Sequence, residues 1–504
     1  MYALLSVSDK TNIEYFAKEL ISIGFKILST GGTLKYLKEH GIYAIDVSSY
    51  TQFEELFSGR VKTLHPKIHG GILYKRDSKD HKECALKHDI YNISLVCVNL
   101  YPFKEATKNS NDFDFILENI DIGGPSLIRA AAKNYKDVIV VVDSNDYESV
   151  IDSIKKENNL EFRKKLMIKA FEYTASYDCF IANYMNEVSG DFLGSHFFIS
   201  GKKYMDTKYG ENPHQSAALY EFDSYWSDNF TILKGTPSFN NFLDLNIAYK
   251  IVNAFPPNAV SIIKHGNPCA FGLKDSLISS YENALKSDIV SSYGGVVGIN
   301  GILDLSLANI MKDNFFEAII ASSVTKEALE VFKNKKRIRI FTLNKKSPSN
   351  LNFKQINGGF LLQNEDVLND CEVYNAKQMG DFAASKSQMH DLAIAYKLCA
   401  FSKSNCVTYV KDGVLLGIGM GLVSRIDSNK IAILKAKEAG ISLFGAALAS
   451  EAFFPFRDSI DLAASEGISC IIEPGGSIRD KEIVEASNEH KIALYFTGTR
   501  HFLH

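Results

Sequence analysis

No C-x-x-C pair occurs in this chain, and its eight cysteines (84, 97, 179, 269, 371, 399, 406, 470) are scattered along its length. That spacing argues against a disulfide framework or a zinc site and reads as reduced thiols. Long hydrophobic runs are missing too: nothing approaches the ~20 apolar residues that cross a bilayer. Charge of one sign is scarce, since 56 Lys and Arg face 59 Asp and Glu for a net −3, so no basic face for nucleic acid is expected. Low-complexity segments and solenoid-period repeats are absent. The start, Met1–Lys10, turns polar at once without a basic leader, which predicts no signal peptide. The expectation is a cytoplasmic globular protein with two or three domains in 504 residues, without membrane partners.

What is present is ordered. Through about residue 190, short apolar runs (Tyr2–Val7, Phe25–Ser29, Ala44–Val47, Leu95–Leu100, Val138–Val142) alternate with amphipathic stretches such as Asn12–Leu20 and Leu34–His40, closed by Gly24 and Gly41. Apolar strands separated by helices predict a parallel sheet covered on both faces. A long helical pattern over Glu161–Glu187 leads into Ser189–Ser195, placing a domain boundary at 194/195. Beyond it, strands are expected at Ala259–Lys264, Val296–Ile299, Ala318–Ala321, Val407–Val410, Ile468–Ile472 and Ala493–Thr497, with a joint between two lobes near 345–350.

The strongest chemical signal is Gly59–Arg76, which holds five Lys or Arg and two His but no Asp or Glu. A short cationic island in a near-neutral chain, shaped by Pro66 and Gly70-Gly71, suits a small anion. Ser29-Thr-Gly-Gly-Thr33, between a strand and a helix start, can cradle a phosphate with backbone N–H groups; a plain turn with a Thr cap explains it equally. Ser6–Lys10 closes the first strand with hydroxyls and an amine, with helix capping by Ser8 as the alternative. In Asp121–Asn134, Arg129 and Lys133 share one helical stripe, repelling each other unless an anion lies between them or they point apart. Asn99–Phe103 brings an amide and a phenol, Tyr101, toward the same sheet edge.

Taken in order, these motifs resemble the IMP cyclohydrolase half of the bifunctional AICAR formyltransferase/IMP cyclohydrolase family. The resemblance implies a methylglyoxal-synthase-like α/β domain that binds a ribonucleotide. By position, Ser8, Lys10, Ser29, Gly31, Gly32, Thr33, Arg60 and Thr63 would hold phosphate and ribose. Lys62, Asn99, Tyr101, Asp121, Ile122, Gly123 and Lys133 would surround the reacting base, with Lys62, Tyr101, Asp121 and Lys133 catalytic. Ring closure needs a base for a poorly nucleophilic amide and cations for the developing oxyanion, which these residue types supply.

In the second part, Lys264-His265 ends an apolar strand just before a turn, where the pair can divide base and electrostatic duties. A structural, buried His265 is the competing reading, and a Cys269/His nucleophile a weaker one. Phe453, Phe454 and Phe456 are read as two core residues and one wall for a flat heterocycle. With Lys208–Gln215, Ser404-Asn405, Gly417–Arg425, Glu473–Ser477 and Thr499–Phe502 these segments resemble the formyltransferase half of the same family, so the resemblance spans the chain. It implies two cytidine-deaminase-like lobes, 10-formyltetrahydrofolate as co-substrate, and a homodimer with formyltransferase sites at the subunit interface. His265 would be the base and Lys264 its electrostatic partner. Lys208, Tyr209, Gly294, Glu317, Asn405, Arg425, Phe453, Phe454 and Arg500 would bind nucleotide and folate. The deaminase signature H-x-E…P-C-x-x-C is missing, so no catalytic metal is expected. Lys208 stands where the family often has Arg, losing the bidentate fork. A different reading makes the first domain a nucleotide-sensing module fused to an unrelated folate- or nucleotide-binding domain; base-facing Lys62, Tyr101 and Lys133 argue against it.

Overall fold

Tyr2–Val7 is apolar at nearly every position because it is the middle strand of a covered sheet. In the computed structural model, which describes residues 1–156, 159–345 and 351–504, this strand, β1, pairs in parallel with β2 (Lys26–Ser29) and β4 (Ile93–Asn99). With β3 (Ile45–Asp46) and β5 (Ile139–Val141) the order is β3-β2-β1-β4-β5. The chain runs outward on one side of β1 and then returns to the other, so the carboxyl ends of β1 and β4 flank a topological switch point, where ligands of such sheets bind. Gly24 (φ 97°) and Gly41 (φ 70°) follow the helices Ile13–Ser22 and Gly31–Glu39 in the left-handed conformation that ends them. The expected strand Ala44–Val47 is shorter than predicted. Asp46 accepts from Ser48 N and caps the helix Val47–Thr51, which claims the valine.

Two compact units result, Met1–Ser200 and Gly201–His504. The first extends past the expected 194 because the segment after the Leu160–Val188 helix folds back on it. Asn183 donates to Phe198 O (2.8 Å) and Ser200 Oγ to Ser176 Oγ (3.0 Å).

The second unit opens with a hairpin, β6 (Lys202–Thr207) and β7 (Ala217–Glu221). Its body is one twelve-stranded sheet built twice over. One lobe supplies β8 (Phe230–Lys234), β9 (Ala259–Lys264), β10 (Asn267–Leu273), β11 (Val296–Leu303), β12 (Ala318–Val324) and β13 (Arg339–Leu343). After the hairpin β14 (Leu351–Ile356) and β15 (Gly359–Asn364), the other lobe adds β16 (Lys377–Gln378), β17 (Val407–Lys411), β18 (Val414–Gly419), β19 (Ala447–Ser450), β20 (Cys470–Glu473) and β21 (Ala493–Phe496). From the centre outward each half runs antiparallel, antiparallel, parallel, parallel, antiparallel, and the halves meet at the antiparallel pair β10–β18. Residues 346–350, where the joint is expected, lie outside those described.

The duplication reaches single atoms. Helices Phe239–Asn253 and Lys386–Ala400 carry capping boxes at Ser238 and Ser385 and share one core, with Tyr249, Phe271, Leu392 and Tyr396, across both lobes. On the other face each lobe has its own core, around Ile262 and Phe332 or around Tyr409 and Phe454. Each such fully buried Ile or Phe contributes roughly 1.5–3 kcal/mol of burial free energy.

Candidate active site

A cavity of about 760 Å³ opens at the switch point of the N-terminal unit. Its floor is the start of the Gly31–Glu39 helix, where backbone N–H groups lack intrahelical partners and favour an anion. Thr30 precedes that helix without a side-chain cap, so the Thr-cap alternative fails. Ser8 caps nothing either, since the next helix begins after Asn12. Lys10 reaches the same floor: a Cβ on Gly32 would lie 3.9 Å from its Nζ, and one on Gly31 would lie 3.6 Å from Lys62 Nζ.

Ser8, Lys10, Gly31, Gly32, Thr33, Arg60 and Thr63 all line this cavity, as do Lys62, Asn99, Tyr101, Asp121, Ile122 and Gly123. Several are committed to shaping it. Asn99 Oδ1 accepts from Ser8 N (2.5 Å) and Asp9 N (3.0 Å), folding the end of β1 over the end of β4. The Thr33 hydroxyl both donates to and accepts from the backbone of Val7 (2.9 Å each). Asp121 Oδ1 accepts from Gly124 N (2.8 Å) at the start of the Gly123–Lys133 helix, and its backbone N–H donates to Tyr177. Burial pushes the Asp121 carboxyl above the ordinary Asp range, against the hydrogen bonds it accepts, which suits a group that exchanges protons. Tyr101 stands in the cavity mouth, 56% exposed, and is no packing aromatic.

Two expected members are not brought here. Ser29 is fully buried, and its hydroxyl donates to Leu5 O (2.8 Å), tying β2 to β1. Lys133 is exposed at the far end of the Gly123–Lys133 helix, about 9 Å of helical rise beyond Leu127, the last residue of that helix to line the cavity. Its stripe partner Arg129 lies over the Phe171 ring (5.7 Å) of the Leu160–Val188 helix. Two residues were missed: Glu55 pairs with Lys62 (3.2 Å), and Glu118 pairs with Arg60. Neither stands inside the cationic island, and only the fold brings Glu118 to it.

In the second unit, Lys264 ends β9 and His265-Gly266 turn the chain into β10, both with positive φ (54° and 75°), the two-residue hairpin geometry. Asp244, on the Phe239–Asn253 helix, accepts from Gly266 N (2.6 Å), and burial raises its carboxyl. The other lobe repeats the arrangement: Lys411, then Asp412-Gly413 at φ 51° and 75°, held by Asp391 (2.9 and 2.8 Å). Lys264 Nζ donates to Tyr293 O and Lys411 Nζ to Phe444 O, each at 2.8 Å. The lysine and the turn are therefore scaffold common to both lobes, and His265 against Asp412 is the chemical difference. His265 is exposed, which removes the buried structural alternative.

Around this turn stand Gly294 (N to Phe315 O, 2.8 Å) and Glu317, which accepts from Asn241 (3.1 Å). The exposed Lys208 and half-buried Tyr209 occupy the loop whose Glu211 O accepts from Asn240 (3.3 Å). The other lobe reaches the same sheet edge, where Lys403 N donates to Asn267 Oδ1 (3.2 Å). Here three expectations are corrected. Arg425 is buried, and its guanidinium is spent on Glu451 (2.8 Å), Ser450 (2.6 Å) and Asn405 (2.8 Å), so it builds the loop of Asn405 and has no free face for a nucleotide. Phe454 is fully buried core and cannot wall a ligand. Of the three phenylalanines only it is core, for Phe453 and Phe456 remain partly exposed. Arg500 is exposed, its guanidinium 4.3 Å from the centre of the Phe502 ring. The Cys269 thiol is buried and pushed up to about 12, which disqualifies it as a nucleophile near neutrality. Among the described residues, no three His, Cys, Asp or Glu side chains gather as metal ligands would.

With this geometry in hand, known proteins are informative. A family model described as "AICARFT/IMPCHase bienzyme" matches residues 131–435, and one described as "MGS-like domain" matches residues 12–126. The chain is similar to the "Bifunctional purine biosynthesis protein PurH" of Persephonella marina, 43% identical over 516 residues that cover 100% of this chain and 99% of that one. Proteins of the same name from Polynucleobacter asymbioticus (42%) and Polynucleobacter necessarius subsp. necessarius (41%) match over the same shares. A solved structure titled "Crystal structure of ForH" shares 33% identity over 36% of this chain and 97% of its own, with a TM-score of 0.33.

Proposed function

The chain belongs to the AICARFT/IMPCHase bienzyme family, and from that premise we propose which of its residues carry the two reactions. It formylates the 5-amine of AICAR and closes the product to IMP, in purine biosynthesis. The donor is folate-type, and we assign it as 10-formyltetrahydrofolate. Because the match covers the relatives' whole length, a sensor domain fused to an unrelated partner is not favoured.

Ring closure runs in the N-terminal cavity. The helix start at Gly31–Thr33, with Lys10 and Ser8, takes the 5′-phosphate, as helix N-termini do. The carboxamide nitrogen attacks the formyl carbon, its proton leaves to Asp121 or through Tyr101, and Lys62 holds the charge that builds on the formyl oxygen. That oxygen takes up the carboxamide proton and then departs as water, as the formamide nitrogen gives up its own proton and the C=N bond of the new ring forms. A carboxyl already raised by burial is suited to take the proton and pass it on. Lys133 is left out of this assignment.

Formyl transfer runs at the Lys264–His265 turn. His265 takes the proton of the attacking 5-amine. Lys264, with donors left after its bond to Tyr293, stabilises the tetrahedral oxyanion, and the folate nitrogen leaves protonated. Lys208, Tyr209 and Arg500 are assigned to the nucleotide; Gly294, Glu317, Asn405 and Phe453 to the donor. Conjugation weakens the aromatic amine, so ring closure pulls a poorly favourable transfer forward.

The observation that carries this reading is the meeting of Lys62, Tyr101 and Asp121 with the Gly31–Thr33 helix start in one cavity. Purified protein supplied with AICAR and 10-formyltetrahydrofolate should yield IMP, and none when the donor is withheld. Formylated product accumulating without IMP would overturn the assignment of the cavity.

A further inference from the structure

Lys62 does not stand alone at the cavity mouth. Leu56 and Val61 exchange both backbone hydrogen bonds (3.1 and 3.3 Å), closing a miniature hairpin around residues 57–60. Three consecutive residues in that loop, Phe57, Ser58 and Gly59, take positive φ (56°, 53° and 96°), and two of them are not glycine, a conformation kept only where the surroundings demand it. One step outward from the bridged pair, Glu55 and Lys62 stand opposite each other, their charges 3.2 Å apart. Gly59 is what lets them meet: a Cβ there would lie 2.5 Å from Lys62 Cε and 2.6 Å from Glu55 Oε1. The pair is partly exposed, with side-chain accessibilities of 29% and 39%, so it adds little to stability. A strained loop and an obligatory glycine are spent on a contact that stabilises almost nothing, which points to placement as its purpose.

The competitor for Lys62 is the phosphate. Its Nζ already lies near Gly31, at the anion-binding helix start, and a bound 5′-phosphate attracts it further. Lys10 stands at the same floor to neutralise that phosphate. We propose that Glu55 is a positioning residue for ring closure: its carboxylate anchors the Lys62 ammonium at the cavity mouth, so that a bound phosphate does not draw it further in and it stays available to the formyl oxygen as that becomes charged. This rests on the role given to Lys62 above.

The split between kcat and KM tests it. Without the Glu55 charge, Lys62 relaxes onto the phosphate, so the nucleotide binds as well or better while the transition state loses its partner. Glu55→Gln is therefore expected to lower kcat for cyclisation of the formylated nucleotide by about tenfold or more, with KM unchanged or reduced. Gly59→Ala, which forces the pair apart, should show the same split, and the double variant should be no worse than the single ones. IMP binding by titration calorimetry reports whether the cavity is intact in each variant. A kcat within twofold of the parent for Glu55→Gln, or a KM that rises with it, overturns the proposal. Lys62→Met separates the two readings. If it abolishes cyclisation while Glu55→Gln is silent, only the role of Glu55 falls; if Lys62→Met is itself silent, the catalytic assignment of Lys62 falls with it.

Discussion

At the residue scale, two side chains sit where their type is a poor fit for the backbone or the dielectric, and both give measurable consequences. His265 occupies a left-handed position that Asn or Gly fills more easily. His265→Asn should therefore leave the melting temperature unchanged or slightly raised while formyl transfer drops by roughly 10²–10⁴; near-normal transfer would show that the base lies elsewhere. Glu473 is the second. It is fully buried on β20, one oxygen accepting from Phe454 N and the other without a partner, and burial lifts it to about 8. Its folded value lies above the unfolded one, so stability is complete below the ordinary Glu value of 4.5 and falls as pH rises toward about 8. Glu473→Gln keeps the shape of the neutral acid. It should stabilise the protein by the order of a few kcal/mol at pH 8 and by little at pH 5, read from denaturant titrations at both. His501 adds a slope of the same sign. Burial disfavours its charge, but Asp366 (2.8 Å) and Glu372 (2.7 Å) on its two ring nitrogens outweigh that and raise it.

At the level of elements, close approach decides more than propensity. Gly419 ends β18 against the Arg425–Glu438 helix, and a Cβ there would be driven into Ser428 O, which is backbone and cannot swing aside. Gly419→Ala should cost about 1–3 kcal/mol or more, seen as a lower calorimetric transition. An unchanged transition would mean that helix can slide. The hairpin turns are held just as locally. Because Asp244 fixes Gly266 N, Asp244→Ala should loosen the His265 turn and lower formyl transfer by about tenfold, leaving ring closure unaffected. Strand existence was legible from apolar runs: β1 and β9 match their predicted limits residue for residue. Strands β10 and β18 were not foreseen, since Gly272 and Gly417 interrupt their patterns, and β8 and β13 are runs of only five residues. Their place in the sheet is paid back only by cross-strand partners.

For the whole molecule, the decisive feature is that the two proposed sites lie in two separately cored units. Mixing Lys62→Met protein with His265→Ala protein should restore conversion of AICAR to IMP, since each supplies the site the other lacks; a mixture no better than either alone would contradict independent sites. The duplicated sheet of the second unit explains why its function was harder to read than that of the first. Duplication left Lys264 and Lys411 in equivalent scaffolding bonds, with only His265 distinguishing one turn from the other. No solenoid-period repeat exposes this, because the two copies share topology rather than a visible sequence period.

Local chemistry was readable in the chain itself: which stretches are strands, where glycine stops a helix, and which clusters of hydroxyls, glycines and cations can meet an anion. Those follow from side-chain type and short-range spacing, and the family resemblance followed from the same motifs in order. Whether a given polar group is free to act was settled only by tertiary structure. Ser29, Arg425 and Phe454 have the right chemistry and are consumed by Leu5, by Glu451 and by the core, while Lys133 is carried away by the length of its own helix. Partners for a hydroxyl, a guanidinium or a ring come from residues remote in the chain, and sequence spacing holds no record of them until the sheet closes.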